Sequence, residues 1–365
     1  MLNRRSFLAG SAALGLCLSS GSLFADDKKT DVEASVARGL EWLRKNQNPD
    51  GSWAAQGNAY PTVMTAMAGL ALMMEGSTSK EGKYSEQIAK AVEWYLKKSQ
   101  NNGLLGTPNN PTEGSRYIYG HGFGMLFLAC AYGEEEDPAT RKKLETLLQK
   151  AVEFSGKAQT KHGGWGYVSA ADGQDFDEGS TTITQLQGLR AARNAGIKVP
   201  KDVIDKSTKY LKDCTTPRGG LVYCYSQRGN GHECQAITAA ACASAFSSGN
   251  YNEKYAKMWI KYCKDAIYLR GKVNGHDEYQ NYYFGQVVYV LGDDRYAEMF
   301  PDEKKENGMK WSEYKKNMFA HFLSTQGTDG GWNQGGMWGV GPVFATSTAL
   351  TIMQLEKGIL PFYHR

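Results

Sequence analysis

Hydrophobic and polar positions alternate along this chain in a paired rhythm. Over residues 31–47, Val32, Val36, Leu40, Trp42 and Leu43 recur with a 3.6-residue period, which predicts a helix with one face to water. Pro61 then opens a segment, 62–75, in which Val63, Met64, Met67, Leu70, Leu72 and Met73 cover most of the circumference before Gly76 ends it. A helix apolar all round is a buried one. The pairing returns: Lys- and Glu-rich outer helices are predicted near 84–100, 138–158, 200–213, 252–268 and 310–325. Inner helices, small and apolar, follow near 118–132, 180–195, 234–247, 279–292 and 344–357.

The turns share a spacing. Gln47, Gly51 and Trp53 recur as Gln159, Gly163 and Trp165 and again as Gln326, Gly330 and Trp332. Self-similarity of this kind, at a period of about 45 to 65 residues, marks a repeat architecture with long outer-to-inner loops. Buried second helices are all satisfied if the hairpins close into a ring. An open solenoid would need a polar end, and the last inner helix, with Phe344 and Leu350, has none. The expected fold is an all-α α/α toroid of about six outer and inner hairpins.

Composition adds exclusions. The 365 residues carry a net charge of +4, with Lys and Arg mixed among Asp and Glu, so nucleic acid is not expected as a partner. Aromatic residues make up 12% of the chain, enough to fill wide inter-helix spaces or to line an apolar cavity. Residues 1–25 read as targeting: Arg4, Arg5, Phe7 and Leu8 precede an apolar run, and the pattern resembles a twin-arginine export signal. Cleavage is expected after Ala25, which leaves 26–365 as one toroid domain in the periplasm or cell envelope. Leu16 before Cys17 is too bulky for a lipidation site. No later apolar run reaches the roughly 20 residues needed to span a bilayer, so membrane contact is expected to be peripheral at most. Cys130 and Cys242 lie in apolar helical runs and read as free thiols, whereas one disulfide among Cys214, Cys224 and Cys234 is left open.

The segment Arg38-Gly39, Trp42-Leu43, Gln47, Gly51, Trp53 is similar to the Gln-Trp repeat of squalene and hopene cyclases. Lys150-Ala151, Phe154, Gln159, Gly163, Trp165 nearly repeats it. Over the mature chain the pattern resembles the terpenoid-cyclase and protein-prenyltransferase superfamily, which implies the same six-hairpin toroid. Fold alone does not settle function.

In such a ring the inner helices run parallel, and their N-termini gather partial positive charge at one mouth. Asp175-Phe176-Asp177-Glu178 directly precedes one of them. It resembles the Asp-x-Asp-Asp acid of class II terpene cyclases, with Glu in the last place, and the resemblance implies a carboxylic acid that protonates an alkene. Clustered carboxylates suit that task because their repulsion keeps one of them protonated. Asp175, Asp177 and Glu178 are thus catalytic candidates; the alternative is that Asp177 or Ser180 caps the helix. His121, in the glycine-rich stretch 117–124 with Tyr119, is a candidate base or ligand contact, or else satisfies a nearby carbonyl. His276, Asp277, Tyr279, Tyr282 and Tyr283 open the fifth inner helix and offer an aromatic wall to a ligand, or core packing. Trp338 stands in the glycine-rich loop 335–341, another outer-to-inner connection.

No metal or cofactor is expected. The stretch 221–226 resembles the zinc region of protein prenyltransferases, but Val222 replaces its Asp, and only Cys224, His232 and Cys234 can be assembled, short of a full ligand set. Three functions remain: a toroid binding an apolar, isoprenoid-like small molecule or lipid, with cyclase chemistry started by an acid; a non-catalytic toroid binding a protein or other partner; and a carbohydrate-active α/α toroid.

Overall fold

The computed structural model describes residues 23–172, 175–246, 253–268, 277–333 and 340–363. Almost all of the expected export segment lies outside them. Helices α1 (Leu23–Lys45) and α2 (Pro61–Glu75) form the first outer and inner pair, followed by α3 (Ser85–Lys98) with α4 (Tyr117–Glu134) and α5 (Pro138–Ala158) with α6 (Gly179–Asn194). Next come α7 (Lys201–Asp213) with α8 (Gln235–Phe246) and α9 (Lys254–Cys263) with α10 (Asp277–Leu291). A short α11 (Arg295–Met299) precedes the last pair, α12 (Trp311–Thr325) and α13 (Pro342–Gln354). The described residues contain no β-strand, only isolated bridges. The sequence predicts one continuous fifth outer helix; instead α9 widens after Cys263 into a π-turn, Lys264–Tyr268, where the Lys264 ammonium pairs with Glu303 at 2.8 Å.

The ring closes. Each of α2, α4, α6, α8, α10 and α13 packs on the next, α13 returns to α2, and α1 lies against α13 and α12. Buried side chains cover α2 on all sides but Val63 and Glu75, as its pattern requires. Between α4 and α6 the backbones nearly touch: a Cβ on Gly122 would stand 2.6 Å from the Thr184 carbonyl carbon, and one on Gly188 2.6 Å from the Gly122 oxygen. Only glycine allows that approach.

The Gln-Gly-Trp turns are fasteners between consecutive outer helices. Gln47 Nε2 donates to Gly51 O at 2.9 Å within its own turn and to Gln87 O at 2.9 Å on α3. Gln159 makes the same two bonds, to Gly163 O and to Val203 O on α7. Trp53, Trp165 and Trp332 each return the indole N–H to the helix just left, at Leu43 O, Ser155 O and Phe322 O. The glycine sits at φ between +92° and +94°, and the described residues hold five such turns, because Gly103 and Gly219 adopt the same conformation as Gly51, Gly163 and Gly330. Each glycine lies against a backbone carbonyl of the neighbouring outer helix, at Lys90, Lys150, Lys206, Met258 and, for Gly330, Arg38 of α1. The last turn therefore clasps the first helix.

The end of the ring away from the inner-helix N-termini is filled. Phe362 and Tyr363, in the short 3-10 turn Pro361–Tyr363, sit among Ala243, Phe246, Gln286 and Tyr289 from the C-terminal halves of α8 and α10. The Tyr363 hydroxyl meets that of Tyr282 at 2.7 Å. Cys130, Cys214, Cys224, Cys234, Cys242 and Cys263 are all free thiols, so the disulfide left open by the sequence does not form. No helix of the described residues is long and apolar enough to cross a membrane.

Candidate functional site

The three acids before α6 face three different surroundings. Asp175 is at the outer rim, paired with Lys161 Nζ at 2.7 Å, and that ammonium holds its carboxyl below the usual range. Asp177 is buried and accepts from Tyr225 N at 2.9 Å. Glu178, with no exposed surface, is the N-cap of α6: its carboxylate accepts from Ser180 N at 2.9 Å, Thr181 N at 2.7 Å and Ser180 Oγ at 2.5 Å. Thus the cap expected at Asp177 or Ser180 is made by Glu178. Glu178 holds the N-cap position itself, and Asp177, one residue before it, turns to Tyr225 N instead.

Glu178 lies beneath an aromatic rim. The Tyr119 hydroxyl, from the first turn of α4, donates to Glu178 Oε1 at 3.2 Å and contacts Ser180 Oγ. Tyr167 stacks on Tyr119 with ring centroids 6.0 Å apart, its hydroxyl meets that of Tyr223, and Phe176 touches both rings. Arg116 covers the outer face of Tyr167, its guanidinium 4.9 Å from the ring centre. Tyr279 of α10 completes the rim; burial and then the charge of Glu178 raise its phenol well above the ordinary value. Phe176 is, of the described large hydrophobic residues, the exposed one.

Burial raises the Glu178 carboxyl above the usual glutamate value, against the opposing pull of the Ser180 and Thr181 donors. The helix N-terminus also favours the ionised form, so the rise reflects how dry the position is. The rise shifts the carboxyl toward its acid form, the form that can donate a proton, and the neighbouring ring faces are of the kind that stabilise a cation.

His121 does not join this group. Its Nδ1 accepts from Leu105 N at 3.0 Å, and Nε2 lies 3.1 Å from Ala151 O and 3.0 Å from Ser155 Oγ. In four of the other hairpins a threonine takes that position: Thr65, Thr182, Thr238 and Thr346 accept from the N–H of Trp53, Trp165, Leu221 and Trp332. His121 is the fastener of its own repeat, and burial depresses its pKa to about 4. Tyr282 and Tyr283, read from the sequence as an aromatic wall or as core packing, are packed, with rings 4.9 Å apart and edge to face. Tyr282 meets Tyr363 and Phe123, and Tyr283 lies edge to face on Tyr279 of the rim at 4.9 Å. His276 and Trp338 lie outside the described residues, as does the side chain of Asp277.

Sequence reasoning missed Tyr167, Tyr223 and Glu113. The first two were within reach: each stands two positions beyond the turn residue, Trp165 or Leu221, whose register locates the mouth. Glu113 is a second buried carboxylate at an inner-helix start, accepting from Thr62 N at 2.6 Å and Thr62 Oγ1 at 2.7 Å. Nothing in its loop, 106–116, signals that role.

No family model matches the chain. It is 23% identical over 216 residues to a probable squalene–hopene cyclase of Sinorhizobium fredii, covering 52% of this chain and 30% of the relative. A squalene–hopene cyclase of Bradyrhizobium diazoefficiens is 23% identical over 209 residues, 50% of this chain and 29% of the relative. The chain thus matches less than a third of the length of these relatives. Among solved structures, the type II terpene cyclase MstE from Scytonema, in complex with its substrate geranylgeranyl dihydroxybenzoate, superposes with a TM-score of 0.58 at 13% identity, over 93% of this chain and 100% of that one. An alpha-1,6-mannanase from Salegentibacter sp., an inactive variant bound to alpha-1,6-mannotriose, gives 0.59 at 8% identity over 90% and 99%. Such low identities establish the fold, an α/α toroid. The Gln-Gly-Trp turns and the 23% matches make the chain squalene–hopene-cyclase-like in sequence.

Proposed function

We propose that this protein is an exported toroid of cyclase type that takes an apolar, isoprenoid-like chain at the aromatic mouth of the ring, with Glu178 as its proton donor. One observation carries the reading: the fully buried Glu178 carboxyl lies at the start of an inner helix, bonded by Tyr119 within a rim of Tyr167, Tyr223 and Tyr279. Asp175 and Asp177 serve as supports, one tied to Lys161 and the other to the 225 backbone. In this role Glu178 gives up its proton to an alkene, the tyrosine faces hold the resulting cation, and the carboxylate left behind is already met by the Ser180 and Thr181 amides.

A second reading rests on that same set of bonds. Glu178 caps α6 with both oxygens engaged, and a carboxylate so occupied also suits a toroid that binds without reacting. Glu178→Gln separates the two, because glutamine retains an acceptor for the cap and has no acidic proton. The probes are squalene and geranylgeranyl dihydroxybenzoate, with native mass spectrometry for binding and gas chromatography for cyclised product. The cyclase reading expects product from the natural chain and none from Glu178→Gln, with binding retained in both. Binding without product supports the inert toroid. Absence of binding to either probe, with release of mannose from alpha-1,6-mannan, would overturn both.

A further inference from the structure

Glu178 has no surface of its own: Ser180 N at 2.9 Å, Thr181 N at 2.7 Å and Ser180 Oγ at 2.5 Å close round the carboxyl. In this arrangement a substrate cannot touch it, so a proton leaving it crosses a neighbouring hydroxyl. The phenols of the rim are not equivalent for that purpose. Those of Tyr167 and Tyr223 are bonded to each other, and that of Tyr279 makes no bond to the carboxyl. The Tyr119 hydroxyl touches Glu178 Oε1 at 3.2 Å and Ser180 Oγ as well, and its side chain is partly exposed in the first turn of α4. Ser180, the other hydroxyl on the carboxyl, is buried at 7% exposure. It fixes the phenol oxygen in place rather than leading outward.

Resting on the reading of Glu178 as the proton source, we propose that Tyr119 is the catalytic residue that meets the alkene and that Glu178 acts through it. The Tyr119 O–H bond breaks as the π pair of the alkene takes the proton into a new C–H bond. In the same event the Glu178 O–H bond breaks, and its proton crosses the 3.2 Å contact to the phenol oxygen. A carbocation, a neutral Tyr119 and a Glu178 carboxylate result, so charge is conserved. The two transfers are concerted because burial, and then the charge of Glu178, hold the Tyr119 phenol well above its ordinary pKa, which disfavours a free phenolate.

The test uses the full chain with squalene and with geranylgeranyl dihydroxybenzoate, following single-turnover product formation by gas chromatography and binding by native mass spectrometry. Tyr119→Phe retains the ring that stacks on Tyr167 and loses the hydroxyl. It should bind both probes as the natural chain does and form product roughly a hundredfold more slowly, or worse. Replacing Tyr119 by 3-fluorotyrosine makes the phenol more acidic at nearly the same size, and product should then form faster than in the natural chain. A hydroxyl that only props Glu178 would leave that rate unmoved. Should Tyr119→Phe fail to fold, the fluorotyrosine chain, which retains the hydroxyl, decides alone. Product at the natural rate from Tyr119→Phe, or no acceleration by 3-fluorotyrosine, with Glu178→Gln inactive, would overturn the relay and leave Glu178 as a direct donor. Product from Glu178→Gln, or none from the natural chain, would overturn the reading of Glu178 and the relay with it.

Discussion

Gln326 donates from Nε2 to the carbonyl of Ser35 at 2.9 Å, across 291 positions of sequence. The same nitrogen bonds Gly330 O at 2.8 Å, and beside it the Trp42 indole donates to Asp329 Oδ2 at 2.8 Å. This seam turns a row of hairpins into a ring. Gly330→Ala forces a side chain to φ +94° and sets its Cβ 2.7 Å from Arg38 O. The substitution should cost about 1–3 kcal/mol in denaturant unfolding, with faster amide exchange confined at first to α1 and α12. Gly57→Ala, where a Cβ meets nothing within 4 Å, should cost less. Equal losses at the two positions would mean that the seam contributes no more than an ordinary turn.

His121 makes stability depend on pH. Its pKa is near 4 in the folded chain against 6.5 for the free side chain, so the unfolded state binds more protons between those values. The contribution is fully present above pH 6.5 and is lost as the pH falls toward 4, a difference on the order of 3 kcal/mol. His121→Asn retains an acceptor for Leu105 N and cannot titrate. Urea melts at pH 7 and pH 4.5 should show a smaller loss for the variant than for the natural chain; parallel losses would assign the acid sensitivity elsewhere.

Glu178 works in the opposite direction. Its folded pKa is raised, so the native state retains a proton that the unfolded chain releases, and stability falls as the pH rises from the free glutamate value through the folded one. Relative to the natural chain, Glu178→Gln should therefore gain ground as the pH increases from 4 to 7. Melting temperatures across that range test it. A difference that does not move with pH would show that Glu178 is ionised throughout, and the proton-donor role would fall with it.

The ring was legible in the sequence because its cause is local. One-sided helices alternating with all-apolar ones require hairpins whose second helices are enclosed. The turn register carried the mouth as well, and it placed Glu178 at the start of an inner helix. Two of the five turns escaped notice because Ser99 and Leu105, and Thr215 and Leu221, replace Gln and Trp, while the glycine and the backbone bonds that define the turn persist: Gly103 N to Gln100 O at 3.0 Å and Gly219 N to Thr216 O at 2.9 Å. Which acid turns inward was not legible. Asp175, Asp177 and Glu178 differ by one or two positions, and their directions are set by Lys161, Tyr225 and Ser180. The packing of Tyr282 was hidden for a related reason, since its partner Tyr363 lies 81 residues away.

The seam has a consequence for the order of events at the ribosome. Val36, Leu40 and Leu43 of α1 are buried, and Gly39 between them accepts Trp332 and Leu350 from the last hairpin. At roughly 5–20 residues per second, the roughly 290 residues that separate the two sides of the seam take about 15 to 60 s to synthesise. For that interval the first helix has only Trp53 and α2 beside it, and the part of its apolar stripe that faces Trp332 and Leu350 waits for the last hairpin.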